Sequence, residues 1–244
     1  YGHERFVTTI NMTEFTEKHT VSRLIGSPPG YVGYGEGGLL TEAVRQRPYS
    51  VVLLDECEKA DPQVMNLFSQ IFDQGFCNDG EGRQINFRNT LIIMTSNLAT
   101  NTIMQIYDNN EDVNPEDVAS AIRPELNLHF KPALVGRMTV VAFRPLDPDT
   151  LRSITTLKLN KLGDRIEESH GVRPTVSDDV LDEIARRCTE VETGARNVDH
   201  IMRLSLTPLV AKELLSVMSR GDKVGGVNIS LGDDGAFRVA VDSV

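Results

Sequence analysis

The sequence is poor in cysteine, and its three thiols are badly placed for cross-linking: Cys57, Cys77 and Cys188 are odd in number and far apart. That excludes a disulfide framework and a zinc knuckle, and it points to a reducing, cytoplasmic compartment. No apolar run approaches the roughly 18 residues that a membrane span needs, so no membrane partner is expected. The opening "YGHERFVTTIN" has no initiator Met and no signal-peptide pattern, and it enters a strand-like run almost at once. The chain therefore reads as a piece cut from a longer protein. Positive charge is in deficit: 25 Lys and Arg stand against 35 Asp and Glu, a net charge of −10. That balance argues against nucleic acid as a partner, because such a face is ordinarily basic.

What is present is an ordinary apolar fraction, 40% over 244 residues, enough for one large domain or a large domain with a satellite. "RFVTTINM" (Arg5–Met12) reads as a strand. "GLLTEAVRQRPY" has helical spacing and is stopped by Pro48. The four apolar residues Val51 to Leu54 suggest a strand buried on both faces, as in a parallel sheet. In "ADPQVMNLFSQIFDQG", Asp61 suits the N-cap, Pro62 the first turn and Gly75 the stop, with Val64, Met65, Phe68, Ile71 and Phe72 as one stripe. "TLIIMTSN" (Thr90–Asn97) and "MTVVAFRPL" (Met138–Leu146) read as further strands, and the acidic, polar "NTIMQIYDNNEDVNPEDV" (Asn101–Val118) as a helix and a surface loop. Up to Leu146 the pattern is α/β with a mostly parallel sheet. A boundary falls near Pro145–Thr150, giving domains 1–146 and 147–244. Beyond it, a long helix carries Leu151, Ile154, Leu159, Leu162 and Ile166, and Ser177 caps a second helix. A third helix starts near Gly194 and kinks or breaks at Pro208. Alternation around "DDG" (Asp233–Gly235) closes the chain with a hairpin, so the satellite is helical with a small sheet.

Chemistry gathers at strand ends. Asp55 and Glu56 follow the apolar strand, at the carboxyl edge where parallel sheets bind ligands. One such carboxylate can orient Mg²⁺ and its waters while the other polarises an attacking water; solvated acids at a helix start are the plainer reading. Asn97 ends the next strand, able to hold a water or a phosphate oxygen, or simply to make a turn. Arg137 and Arg196, taken singly, read as surface charges. Their order along the chain, after Asp-Glu and Asn, is what gives them weight.

In that order the chain resembles the second ATPase module of the Clp AAA+ unfoldases. "GSPPGYVGYGEGGLLTEAVRQRPYSVVLLDECEKA", "DGEGRQINFRNTLIIMTSN" and "TGAR" match that family's blocks in sequence and spacing over nearly the whole chain. "FKPALVGRM" and "ETGARNVDHIMRLSLTPLV" are most like the ClpV branch, whose members recycle the contractile sheath of type VI secretion; general disaggregation, as in ClpB, is the alternative. The resemblance implies a cytoplasmic hexameric ring that uses ATP and Mg²⁺ to thread polypeptide, with type VI sheath proteins as its substrate. It implies Asp55 as the Walker B metal residue, Glu56 as the base, Asn97 as sensor 1, Arg137 as an arginine finger acting on a neighbour's ATP, and Arg196 as sensor 2. "GYVG" (Gly30, Tyr31, Val32, Gly33) becomes the first pore loop, its tyrosine gripping an extended chain between glycines that let it swing. "DGEGR" (Asp79, Gly80, Glu81, Gly82, Arg83) becomes a second pore loop.

Two departures qualify this. No G-x-x-x-x-G-K-[ST] occurs anywhere, so the phosphate-binding loop and its strand are expected upstream; the chain alone should bind ATP weakly and hydrolyse it hardly at all. The missing strand belongs between Thr90–Ser96 and Thr139–Pro145, and its loss should leave two unpaired edges. Cys57 stands where the family has a β-branched residue and reads as packing, not as a nucleophile. The window Leu98–Arg123 has no glycine, hence no docking tripeptide for the ClpP peptidase. A nucleic-acid motor would need a basic pore loop in place of this aromatic one. The chain by itself also fits a non-hydrolysing interaction module.

Overall fold

A computed structural model describes residues 3, 6–110, 112–189 and 195–244. The chain divides into two compact units, Tyr1–Arg144 and Pro145–Val244. In the first, β1 (Val7–Asn11), α1 (Val21–Ile25), α2 (Leu39–Gln46), β2 (Val51–Asp55) and α3 (Pro62–Gln74) are followed by a small hairpin, β3 (Phe76–Asn78) and β4 (Gln84–Asn86). Then come β5 (Leu91–Met94), α4 (Thr100–Asn109), α5 (Pro115–His129) and α6 (Pro132–Val135). Helix α3 is bounded as its sequence dictates: the Asp61 side chain accepts from the Gln63 N–H at 2.7 Å, Pro62 opens the helix, and Gly75 ends it at φ 75°. Its stripe of Val64, Met65, Phe68 and Ile71 is buried, with Phe72 half-buried.

The main sheet is parallel, ordered β1-β2-β5, with Leu54 opposite both Ile10 and Met94. Side chains alternate between faces, so Ile10, Val52 and Leu54 share one face and are fully buried, together with Phe15, Leu24, Leu40 and Phe68. The other face, bearing Val7, Val51, Leu53, Leu91 and Ile93, is half-open. The expectation that β2 is buried on both faces therefore holds for one face only, because no element among the described residues covers the second. Residues 138–146, expected as a strand, form none. Val141 and Phe143 are 71% and 85% exposed, and Leu91 and Ile93 on β5 are also exposed. A strand exists only when its N–H and C=O groups are paired, and among the described residues neither segment has a partner along that edge. Helix α5 lies where the sequence suggests only the end of a surface loop; Asn114 caps it and Pro115 opens it, and it runs through Pro124.

In the second unit, α7 (Pro148–His170) is capped by Asp147, whose carboxylate accepts from the Thr150 N–H at 2.6 Å. After it come β6 (Thr175–Val176), α8 (Asp178–Thr189), α9 (Ala195–Ile201), α10 (Thr207–Ser219) and the hairpin β7 (Val224–Leu231) and β8 (Phe237–Ser243). The sheet is ordered β6-β7-β8, with the last pair antiparallel. Leu151, Leu159, Ile166, Val180, Ile184, Val198, Leu206, Ile229 and Phe237 form its core. The helix expected near Gly194 begins at Ala195, Gly194 itself lying outside the described residues. It breaks as expected: a wide π turn, Met202–Leu206, separates α9 from α10 just before Pro208. The capping role expected of Ser177 fails. Among the described residues its buried hydroxyl has no hydrogen-bond partner, and its carbonyl serves α8, accepting from the Val180 N–H at 3.1 Å.

Candidate functional site

At the carboxyl edge of β2 the chain turns sharply. Asp55 ends the strand, Glu56 has φ 58° and ψ 51°, and Cys57–Lys59 makes one tight helical turn. A left-handed backbone at a non-glycine residue costs on the order of 1–3 kcal/mol and persists only where its surroundings hold it. The holding residue is Thr95, at the end of β5. Its N–H donates to the Leu54 carbonyl at 2.9 Å and its carbonyl accepts from the Cys57 N–H at 3.0 Å. Its hydroxyl donates to Asp55 Oδ1 at 2.5 Å and accepts from the Glu56 N–H at 3.1 Å. Among the described residues nothing donates to the second oxygen of Asp55.

Cys57 is buried, and its thiol is pushed up to about 12, first by burial and then by the negative charges of Glu58 and Asp55. It is a packed, protonated thiol at neutral pH and has no nucleophilic character. Asn97 lies two residues beyond Thr95 at the same sheet edge, exposed, its carbonyl accepting from the Thr100 hydroxyl at 2.6 Å. Asp55, Glu56 and Asn97 are thus brought together by β2 and β5. Arg137 is not among them: it pairs with Asp73 in the last turn of α3 and donates to the Ala133 carbonyl at 2.5 Å. Arg196 is exposed in the first turn of α9, in the second unit.

The second constellation is the pair of glycine loops. Between α1 and α2, tight turns close at Tyr31, Tyr34 and Glu36, whose N–H groups donate to the carbonyls of Pro28, Tyr31 and Gly33, each at 3.2 Å. Gly30, Gly33 and Gly35 take φ values of 85–90°, which side chains resist. Tyr31 is 71% exposed and Val32 100%. The second loop joins β3 to β4. Asp79 accepts from the N–H groups of Glu81 and Arg83 at 2.9 and 2.8 Å and from the Arg83 guanidinium at 2.7 Å. Burial alone would raise the Asp79 carboxyl, but Arg83 and the two N–H groups outweigh it and hold the carboxyl below its usual value. The two loops touch at their stems, where the Gly80 N–H donates to the Ile25 carbonyl at 2.8 Å. A Cβ on Gly80 would lie 2.5 Å from the Gly26 carbonyl carbon, so only glycine permits this approach.

Among the described residues no three His, Cys, Asp or Glu side chains form a metal cage. A single hard carboxylate with one open oxygen still suits Mg²⁺, which keeps several waters and takes one or two carboxylates beside phosphate oxygens. Thr95 and Asp73 were missed by sequence reasoning. Thr95 lies in the very "TSN" that drew attention to Asn97, but a threonine ending a strand carries no signal of its own.

A parallel sheet with paired acids and an asparagine at one edge, followed by a helical unit with a small sheet, defines an AAA-type module. The family described as AAA domain (Cdc48 subfamily) matches residues 1–141, and the chain belongs to it. More narrowly it is a ClpV/ClpB-type AAA+ module, since the C-terminal D2-small domain of ClpB matches residues 146–225. The chain is 48% identical over 235 residues to the AAA+ ATPase ClpV1 of Pseudomonas aeruginosa, covering 96% of this chain and 26% of that protein. It is 46% identical over 216 residues to the chaperone protein ClpB of Yersinia enterocolitica, covering 88% and 24%. It is 42% identical over 224 residues to ClpB of Vibrio vulnificus, covering 91% and 26%. The chain thus spans about a quarter of the length of these relatives. Among the described residues no helix is long and apolar enough to cross a membrane.

Proposed function

We propose that this chain is the working part of a hexameric, ATP-driven, protein-remodelling motor that threads polypeptide through its pore. The observation that carries this reading is the pair Tyr31–Val32, large apolar side chains held in solvent on a loop of glycine turns. Single exposed apolar residues are ordinary, but two adjacent ones in solvent on a loop of glycine turns suit a contact surface, and apolar contact without a sequence code suits a threader. ATP with Mg²⁺ supplies the phosphoryl chemistry. Asp55 would hold the metal through its open oxygen, Glu56 would orient and deprotonate the attacking water, and Asn97 would fix that water or a phosphate oxygen. Arg137 would act on nucleotide in the neighbouring subunit, where such arginines supply factors of about 10³–10⁵. Its ion pair with Asp73 is 42% and 46% exposed. Such a pair contributes about 0.2–1 kcal/mol, small enough for a phosphate to displace. Arg196 would read the nucleotide from the second unit.

The half-open sheet face and the unpaired β5 edge fit a phosphate-loop strand and helix supplied by the rest of the protein. On this reading the chain alone does not turn over ATP, and the motor works in the cytoplasm without docking on ClpP. ClpV-type sheath disassembly is the substrate choice we favour over general disaggregation. In the full-length protein, Tyr31→Ala should leave most ATPase activity intact and abolish threading. If both fall together, the loop is structural and the proposal fails. Disassembly of sheath tubules against rescue of heat aggregates decides the substrate: activity on aggregates alone overturns the sheath reading.

A further inference from the structure

We infer that Thr95 is a positioning residue for hydrolysis, acting through Asp55 and Glu56; this rests on the roles proposed for those two acids. A hydroxyl has one proton and two lone pairs. Thr95 commits its proton to Asp55 Oδ1 at 2.5 Å, in the range of a hydroxyl–carboxylate bond, and offers a lone pair to the Glu56 N–H at 3.1 Å. The first bond occupies one oxygen of Asp55 and fixes the carboxylate, while the other oxygen has no donor among the described residues and is left for a ligand. The second pins the amide of a residue whose φ of 58° an L-amino acid leaves when it is free to. The Thr95 backbone adds bonds to Leu54 and Cys57, so one residue grips four consecutive positions of the turn. The backbone bonds close the turn whatever the side chain is. Among the described residues the hydroxyl is the one side-chain group bonded both to the Asp55 carboxylate and to the Glu56 amide, so it adds to the peptide link a restraint on how the two acids are placed. Without it, Asp55 can rotate and Glu56 can relax its backbone, and the two acids no longer share one fixed geometry.

The test uses the full-length protein with Thr95→Val, which keeps the shape and removes the hydroxyl, and Thr95→Ser, which keeps the hydroxyl. Loss of a supporting hydrogen bond to a metal carboxylate typically costs about 10–100-fold. The turnover number of Thr95→Val should fall by that factor while KM for ATP moves less than about threefold, since the Thr95 hydroxyl is already engaged by Asp55 and the Glu56 amide. Thr95→Ser should stay near the parent. A second readout needs no nucleotide. By amide hydrogen exchange, Glu56 should exchange faster in Thr95→Val, while Cys57, bonded to the Thr95 carbonyl, stays protected. Full turnover in Thr95→Val, or equal loss in both variants, overturns the inference; so does loss of protection at Glu56 and Cys57 alike, which marks a merely structural residue. Should Thr95→Val fail to assemble, Thr95→Ala against Thr95→Ser carries the same comparison. Glu56→Gln separates the layers. If it turns over ATP normally, the role of Glu56 is overturned and this inference with it. If it is dead beside a fully active Thr95→Val, this inference alone falls.

Discussion

The contact between the two glycine loops sets a measurable energy on a single methyl group. In Gly80→Ala the new Cβ meets the Gly26 carbonyl carbon at 2.5 Å, its oxygen at 2.6 Å and the Ser27 oxygen at 2.7 Å. All three are backbone atoms, so no side chain can swing aside and the loops must part. Overpacking of this kind costs about 1–3 kcal/mol. Stretching the bond from the Gly80 N–H to the Ile25 carbonyl, now 2.8 Å, adds about 0.5–1.5 kcal/mol. Restricting the unfolded chain returns about 0.4–1 kcal/mol, leaving a net loss near 2 kcal/mol. For a unit of this size that lowers the melting temperature by roughly 4–8 °C. Circular dichroism melts of the chain measure it, with Glu81→Ala as reference, since Glu81 gives up only an exposed pair with Arg83. Limited chymotrypsin digestion reports the same event locally: once Gly80 no longer clasps its stem, the loop around Tyr31 and Tyr34 should be cut faster. If Gly80→Ala melts within 1 °C of Glu81→Ala and is cut no faster, the loops are not clasped as described.

Acid should weaken the second unit through Glu183. Arg186 first, and then Arg187, holds its carboxyl down to about 2 from 4.5. A carboxyl lowered by folding stabilises above its unfolded value and ceases to as pH falls through the folded one, so this contribution is full above pH 4.5 and gone near pH 2. Glu183→Gln should flatten the stability profile across that window, and parallel acid slopes in both proteins would refute the linkage. At the open sheet edge, amides of β5 facing away from β2, and those of residues 139–145, should exchange rapidly in this chain and slowly in the full-length protein. Equal exchange in both would mean that no strand fills the edge.

The sequence made most elements legible where local chemistry and burial agree. Asp61, Pro62 and Gly75 bound α3 through groups within a few residues of it, and the terminal hairpin alternates as its turn requires. It misled where an element depends on a distant partner. "MTVVAFRPL" has every local mark of a strand, yet a strand is a pairing, and no segment among the described residues pairs with it. Ser177 shows the limit within a single turn: the right residue at the right place, its hydroxyl buried with nothing to bond among the described residues. Conversely, the polar stretch up to Val118, read as a loop at its end, opens a helix that a capped start and the buried contacts of Val118 and Ile122 carry through despite Pro124.

The candidate site was legible as a set of acids and an asparagine, and the structure adds where local preference is overruled. Two non-glycine residues among those described have positive φ, Glu56 at 58° and Ala99 at 60°, and both stand at the carboxyl edge of the main sheet, in the turns after β2 and β5. A third misfit lies at Asp73, an acid in the last turn of α3, where the helix dipole favours a base. Its partner is Arg137. Natural sequences keep local choices consistent with the fold except where something else is selected, so misfits that coincide with chemistry are informative. Each of the three sits at or beside a residue singled out independently from its place in the sequence order: Glu56 itself, Asn97 two residues before Ala99, and Arg137 against Asp73. Strain at one such position is common enough to ignore. At two, in neighbouring turns of one edge that also carries Asp55 and Asn97, it supports reading this edge of the sheet as a working site and not as the solvated end of two strands, while the Asp73–Arg137 pair is a misfit of charge apart from that edge.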